Sequence, residues 1–306
     1  MHPITGLLTA LGALTIVYIG GWARAFMEAR NTPAHEISPA TDTRPPSLFQ
    51  IGLGAVTNFF DALGIGSFAT TTTVFRLKQM VPDRIIPGTL NAGHTLPTIA
   101  QAFIFTSVIP VDILTLFSMI VAAVLGAWLG AGVVASWPKR KVQIGMGIAL
   151  LVAATLMLMT QLNLFPGGGE ALGVRGPKLA MAVAGNFLLG AVMTLGIGLY
   201  APCMILVSML GMNPTAAFPI MMGSCAFLMP IGSLRFIRER SYSLRVALGL
   251  AIGGVPGVLL AAYIVKSLPL YAVRWLVIVV VLYAAVTLLL SASYEKAASA
   301  ARAAEA

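Results

Sequence analysis

Two ionisable side chains stand alone in long apolar stretches of this chain. Asp61 ends the run Asn58-Phe59-Phe60-Asp61, and His94 lies within Asn91-Ala92-Gly93-His94-Thr95-Leu96-Pro97. An unpaired carboxylate in an apolar medium is costly, so such an acid is a functional candidate by default. One reading of Asp61 is a carrier of H⁺ or Na⁺; the other is a capping or protonated acid that ties a loop together. His94 can change charge near neutral pH. A charged form would complement an anion or pair with Asp61, and a neutral form would be a satisfied packing residue. Beside them, Thr70 to Thr73 offer hydroxyls to an oxyanion, but at helical spacing only one or two can face a site, and buried threonines often bond back to their own helix.

Immediately after Asp61 comes Leu63-Gly64-Ile65-Gly66, and Leu195-Gly196-Ile197-Gly198 repeats it 132 positions on. Glycine lets the backbone turn and lets a ligand approach closely. Half-helices are expected to start just after each break, near Ser67 to Thr71 and near Tyr200 to Met204. Helix N-termini carry unpaired N–H groups and partial positive charge, which suits an anion without any buried lysine or arginine. Gly64, Gly66, Ser67, Thr70, Thr71, Gly196, Gly198, Tyr200 and Cys203 are therefore the expected substrate contacts. Asn91, His94 and Ser224 join them, because Asn91 aligns with Gly223 in the second copy, next to Ser224. The alternative is that these glycines only allow close helix packing.

What must hold these residues follows from composition. The chain has 306 residues, 58% hydrophobic and only 9% charged, with mean hydropathy +0.92. A soluble domain carries roughly 25% charged residues. Between Leu179 and Leu234 no Asp, Glu, Lys, Arg or His occurs. A bilayer core takes about 20 apolar residues per helix, so membrane insertion is the consistent reading. The net charge of +9 is read as loop charge facing cytoplasm and anionic lipid, not as a nucleic-acid surface. Cys203 and Cys225 both lie in apolar runs without metal-site spacing, so neither a disulfide, a metal nor a cofactor is expected. Pro166-Gly167-Gly168-Gly169 lacks the Gly-Lys-Ser/Thr of a phosphate cradle.

The expected organisation is a first transmembrane helix over 1–27, retained rather than cleaved. A polar cytoplasmic linker over 28–48 follows, then transmembrane repeat 1 over 49–165. An external loop over 166–178, transmembrane repeat 2 over 179–293 and a tail over 294–306 complete the chain. The repeat also pairs Ala69 with Ala201 and Pro87 with Pro219, and at an offset of 131 Gly126 with Gly257 and Pro138 with Pro269. If all nine hydrophobic segments crossed, the 19 Lys and Arg would divide 8 against 11. If the segments holding the Gly breaks leave on the side they entered, the division becomes 15 against 4, as the positive-inside rule requires. That topology has seven full spans and two re-entrant hairpins, N-terminus outside and C-terminus inside. Each repeat then holds three crossings, an odd number, so the two are inverted. Gly-interrupted short helices at matching places in inverted repeats are a signature of secondary transporters.

The Leu-Gly-Ile-Gly breaks, the downstream Ala216-Ala217-Phe218-Pro219 and Gly223-Ser224, and the duplicated layout resemble the TauE/SafE family of membrane proteins. The resemblance covers nearly everything after Ser47. It implies export of sulfite, sulfoacetate or related organosulfonates from a bacterial inner membrane. The second copy keeps a proline after the break, at Pro202; in the first, Ser67-Phe68 and Thr70 to Thr73 stand in its region. A channel or a transporter of another small solute is the alternative, and an intramembrane enzyme lacks a paired constellation such as two acids or a serine with a histidine. Expected partners are a small anionic substrate and membrane lipid; a homo-oligomer stays open.

Overall fold

The computed structural model describes residues 3–64, 66–135, 137–164, 169–194 and 198–264, with isolated positions between 275 and 293. Among them there is no β-strand, only a single bridge between Ala171 and Met212. Ten helices follow in order: α1 (Pro3–Arg30), α2 (Leu48–Ala62), α3 (Ser67–Lys78), α4 (Ile86–Val108), α5 (Ile113–Ala135), α6 (Lys139–Gln161), α7 (Gly176–Met193), α8 (Tyr200–Met209), α9 (Ala217–Arg238) and α10 (Leu244–Ile264). Five of them, α1, α5, α7, α9 and α10, are long and apolar enough to cross a membrane. The protein is all-α and membrane-like. The first glycine break falls between α2 and α3, the second lies outside the described residues except for Gly198, and Gly211, at φ +82°, turns the chain out of α8.

Of the seven expected crossings, α1, α5, α9 and α10 are among these five helices, and α4 and α6 are not. By contrast α7, expected as the entering arm of a re-entrant hairpin, has the length and apolarity to cross. For α4 the cause is physical. That helix has 23 residues, about 34 Å of rise, and so has the length to cross. It falls short in apolarity, because Thr89, Asn91, His94, Thr95, Thr98, Gln101 and Thr106 are all buried along it. Its polar face meets protein rather than lipid. The last expected span, 275–294, lies largely outside the described residues, as does the tail. The first helix runs to Arg30, three residues beyond the expected boundary, and Ser47 caps α2 through a reciprocal pair of hydrogen bonds with Gln50.

Neither of the short helices that follow the breaks can cross alone. The 12 residues of α3 and the 10 of α8 rise only about 18 and 15 Å. Contacts show that α8 folds back along α7: Gly185 faces Leu206, and Lys178 Nζ, near the start of α7, donates to Leu210 O at 3.1 Å. The end of α3 likewise returns beside the start of α2, where Gln50, Met80 and Pro82 line one cavity.

The long helices pair as α2 with α10, α7 with α5, α4 with α9, α4 with α10 and α9 with α5. Backbone-to-backbone approach makes the first two pairs possible. A Cβ on Gly257 of α10 would collide with Ala55 O on α2, and one on Gly126 of α5 with Phe187 O on α7. These positions are 131 and 132 apart, the offsets of the sequence repeat.

Charge separates to two ends. At one, Arg76 bonds Asp83 at 2.6 Å, Gln143 donates to Asp83 at 2.7 Å, and Leu244 N bonds Pro39 O. At the other, Arg175 grips Asp112 through both guanidinium nitrogens at 2.7 Å, and Asn213 N bonds Ala171 O. The Arg175 guanidinium, with Thr115 donors, holds the Asp112 carboxyl well below the usual carboxylate range.

Candidate functional site at the meeting of the two breaks

Gly64 and Gly66 both adopt positive φ, +82° and +86°, which L side chains avoid. Those two conformations end α2 and restart the chain as α3 without a crossing-length helix. Across the break, Asp61 Oδ1 accepts the backbone N–H of Ser67 at 2.6 Å. The carboxylate thus occupies the N-terminus of α3, the place where negative charge is stabilised by unpaired N–H groups. Asp61 Oδ2 accepts from Gln101 Nε2 at 2.8 Å, and Gln101 Oε1 in turn accepts the hydroxyl proton of Tyr200, at the start of α8. One buried chain of hydrogen bonds, Ser67–Asp61–Gln101–Tyr200, therefore links the N-terminal ends of both half-helices.

A cavity of about 10 Å³ lies at this junction, lined by Asp61, Gly66, Ser67, Thr98, Gly198 and Tyr200 on one side and by Met193, Cys225 and Met229 on another. That is room for about one water molecule. The cavity is smaller than a sulfonate.

A second polar group sits one helical step away. His94 Nδ1 lies 3.0 Å from Asn58 Oδ1, and His94 Nε2 lies 3.1 Å from Thr71 Oγ1. Asn58 Nδ2 is committed to Gly54 O at 2.8 Å, which leaves its oxygen for the ring. Nδ1 then carries the proton and Thr71 donates to Nε2, so a neutral imidazole is satisfied at both nitrogens. Pairing of His94 with Asp61, one of the expected alternatives, does not occur.

The remaining expected contacts divide clearly. Ser67, Gly66, Gly198 and Tyr200 meet Asp61 at the cavity. Thr70 bonds back to Gly66 O and Ser67 O, and Thr73 to Ala69 O. Cys203 is buried without a polar partner in the hydrophobic core, and a Cβ on Gly64 would face Met204 and Phe218. Asn91 and Ser224, expected in one cavity, point apart. Asn91 Nδ2 bonds Pro87 O on its own helix, and Ser224 Oγ accepts from Asn186, which also donates to Met119 O on α5. The reason is that a helix turns about 100° per residue, so positions one apart in the repeat alignment face different neighbours. Gly196 lies outside the described residues.

Gln101 was not expected, although the pattern carries a signal for it. His94, Thr98 and Gln101 stand at i, i+4 and i+7, one polar stripe along a helix otherwise read as a span. No protein-family model, characterised protein or solved structure significantly matches this chain.

Proposed function

We propose that the chain is a secondary transporter of a small anion, bound where the two broken hairpins meet. The observation that carries the reading is the Asp61 carboxylate seated on the N-terminus of α3 beside a one-water cavity that the N-terminus of α8 also lines. A carboxylate held by Ser67 N–H and Gln101 is a resident stand-in for an oxyanion, and it marks the donor geometry an anionic substrate would use. Short hairpin arms that fold back on themselves, and long-helix pairings that exchange under the repeat offset, support two inverted repeats of one hairpin and three crossings behind an extra first helix. In this architecture access alternates when one repeat rocks against the other around the fixed site.

The substrate class, sulfite and organosulfonates, and the outward direction rest on the resemblance of the Leu-Gly-Ile-Gly breaks. The end that carries Arg76, Lys78, Arg84 and Arg235 to Arg245 is assigned to the cytoplasm of a bacterial inner membrane by the positive-inside rule. The test is a thermal-shift panel on the purified protein with sulfite, sulfoacetate, methanesulfonate, sulfate and chloride. Stabilisation that saturates with sulfite or a sulfonate and not with chloride supports the reading. A flat response to all five overturns it.

A further inference from the structure

The hydrogen-bond directions around Asp61 carry a coupling mechanism, which rests on the anion reading above. Asp61 accepts twice, from Ser67 N–H and from Gln101 Nε2, and donates nothing; Gln101 Oε1 holds the Tyr200 hydroxyl proton. Both contacts are those of an accepting, ionised carboxylate. No other charged side chain among the described residues faces it from α3, α4, α8, α9 or α10. The titratable neighbours are Tyr200 on α8 and Cys225 on α9, while His94 on α4 is engaged by Asn58 and Thr71.

We propose that Gln101 is a proton-driven switch, and that one proton on Asp61 hands two donors to the substrate anion. A protonated Asp61 is a poor acceptor for Ser67 N–H, which is released to the cavity. Its new O–H needs an acceptor, and Gln101 supplies one by turning its amide through half a turn, so that Oε1 faces Asp61 and Nε2 faces Tyr200 Oη. Tyr200 now accepts from Gln101, and its hydroxyl proton is free to point into the cavity that both residues line. Carboxylate and substrate thus compete for the same N–H, and the proton decides the competition. Anion and proton bind together, with no net charge buried in excess of the pair. The asymmetry of the repeats fits: the counterpart of Asp61 is Met193, and that of Gln101 is Ser233, so a single proton site serves both half-helices.

The experiment counts protons on the purified full-length protein with methanesulfonate, an anion that stays ionised throughout the working range, so that any proton taken up belongs to the protein. Calorimetric titrations in buffers of different ionisation enthalpy give the number. Wild type is expected to take up close to one proton per anion, with affinity falling about tenfold per pH unit once Asp61 is ionised. Asp61→Asn, which imitates the protonated acid, is expected to bind with a flat pH profile. Gln101→Met severs Tyr200 from Asp61; its ratio of low-pH to high-pH affinity is expected to shrink by about tenfold, the worth of one charge-assisted hydrogen bond, a change that a merely structural role would not produce. Wild-type binding without proton uptake, or equal uptake in Asp61→Asn, overturns the coupling and leaves the anion site standing. An unchanged pH ratio in Gln101→Met overturns the switch. Absence of binding in wild type at every pH overturns the site reading and the coupling together.

Discussion

Alanine at the two break glycines should separate folding from ligand binding. Gly66 stands at φ +86°, ψ 124°, with nothing within 4 Å of an added Cβ. The whole cost of Gly66→Ala is therefore backbone strain, about 1–3 kcal/mol for a residue held in a region of this kind. Gly198 has no left-handed φ and also nothing within 4 Å of its Cβ. Gly198→Ala should fold with wild-type stability, yet Gly198 lines the cavity, so the added methyl group would stand where a bound anion approaches the backbone. The measurement is the thermal midpoint in detergent with and without methanesulfonate. A ligand present at one hundred times Kd stabilises the native state by about 2.7 kcal/mol. Gly198→Ala is expected to keep the midpoint of the free protein and lose most of that increment. Gly66→Ala is expected to lower the midpoint of the free protein itself. A Gly198→Ala protein that folds and retains the full ligand increment refutes the cavity as the binding site, and an unstrained Gly66→Ala refutes the turn geometry.

Gly126→Ala and Gly257→Ala each drive a Cβ into a facing carbonyl, of Phe187 and Ala55 respectively, and each should lower stability by at least about 1–3 kcal/mol. Gly52→Ala, inside α2 with open space around it, is the control that should not destabilise and should gain up to about 0.5–1 kcal/mol in helix propensity, and all three are read by the same thermal midpoint. Because Arg175 depresses the Asp112 carboxyl, the stabilisation it gives is fully present above the ordinary carboxylate pKa, about 3.9, and is lost as pH falls below that value towards the lower folded one. Wild type should therefore lose stability relative to Asp112→Asn on acidification, a difference measured by acid titration of the two midpoints side by side. Cysteines placed at Lys139 and Arg238 should be blocked only by membrane-permeant reagents, and one at Arg175 by an impermeant reagent from outside. Labelling of position 139 from outside removes the hairpin topology.

The parts of this architecture that sequence reached are those written in short-range chemistry. The break at Gly64 to Gly66 was legible because few residues other than glycine tolerate positive φ, and the two observed values bear this out. The positive-inside count over nineteen cations was a reading of loop positions alone; the labelling experiment above is its test. What stayed hidden depends on which helix lies opposite. Asp61 could be singled out as an acid in an apolar run, but its partners come from Ser67, six residues on, and Gln101, forty residues on, and only the packing of α2, α3 and α4 selects them. His94 illustrates the same limit from the other side: its type invited a charge role, whereas Asn58 and Thr71 complete a neutral ring.

The asymmetry inside the duplication is where the two kinds of information meet. The close contacts that build the scaffold recur in register, Gly257 on Ala55 and Gly126 on Phe187, because a backbone-to-backbone approach leaves no freedom in residue size. The site positions do not recur: Asp61, Thr71, His94 and Gln101 in the first copy stand opposite Met193, Cys203, Ala226 and Ser233 in the second. A symmetric pair of carboxylates across a one-water cavity would place two like charges in a medium that screens them poorly. One acid shared by the N-terminal ends of α3 and α8 avoids that repulsion, and the apolar part of the cavity lining comes from Phe68, Met193, Leu199, Cys225 and Met229.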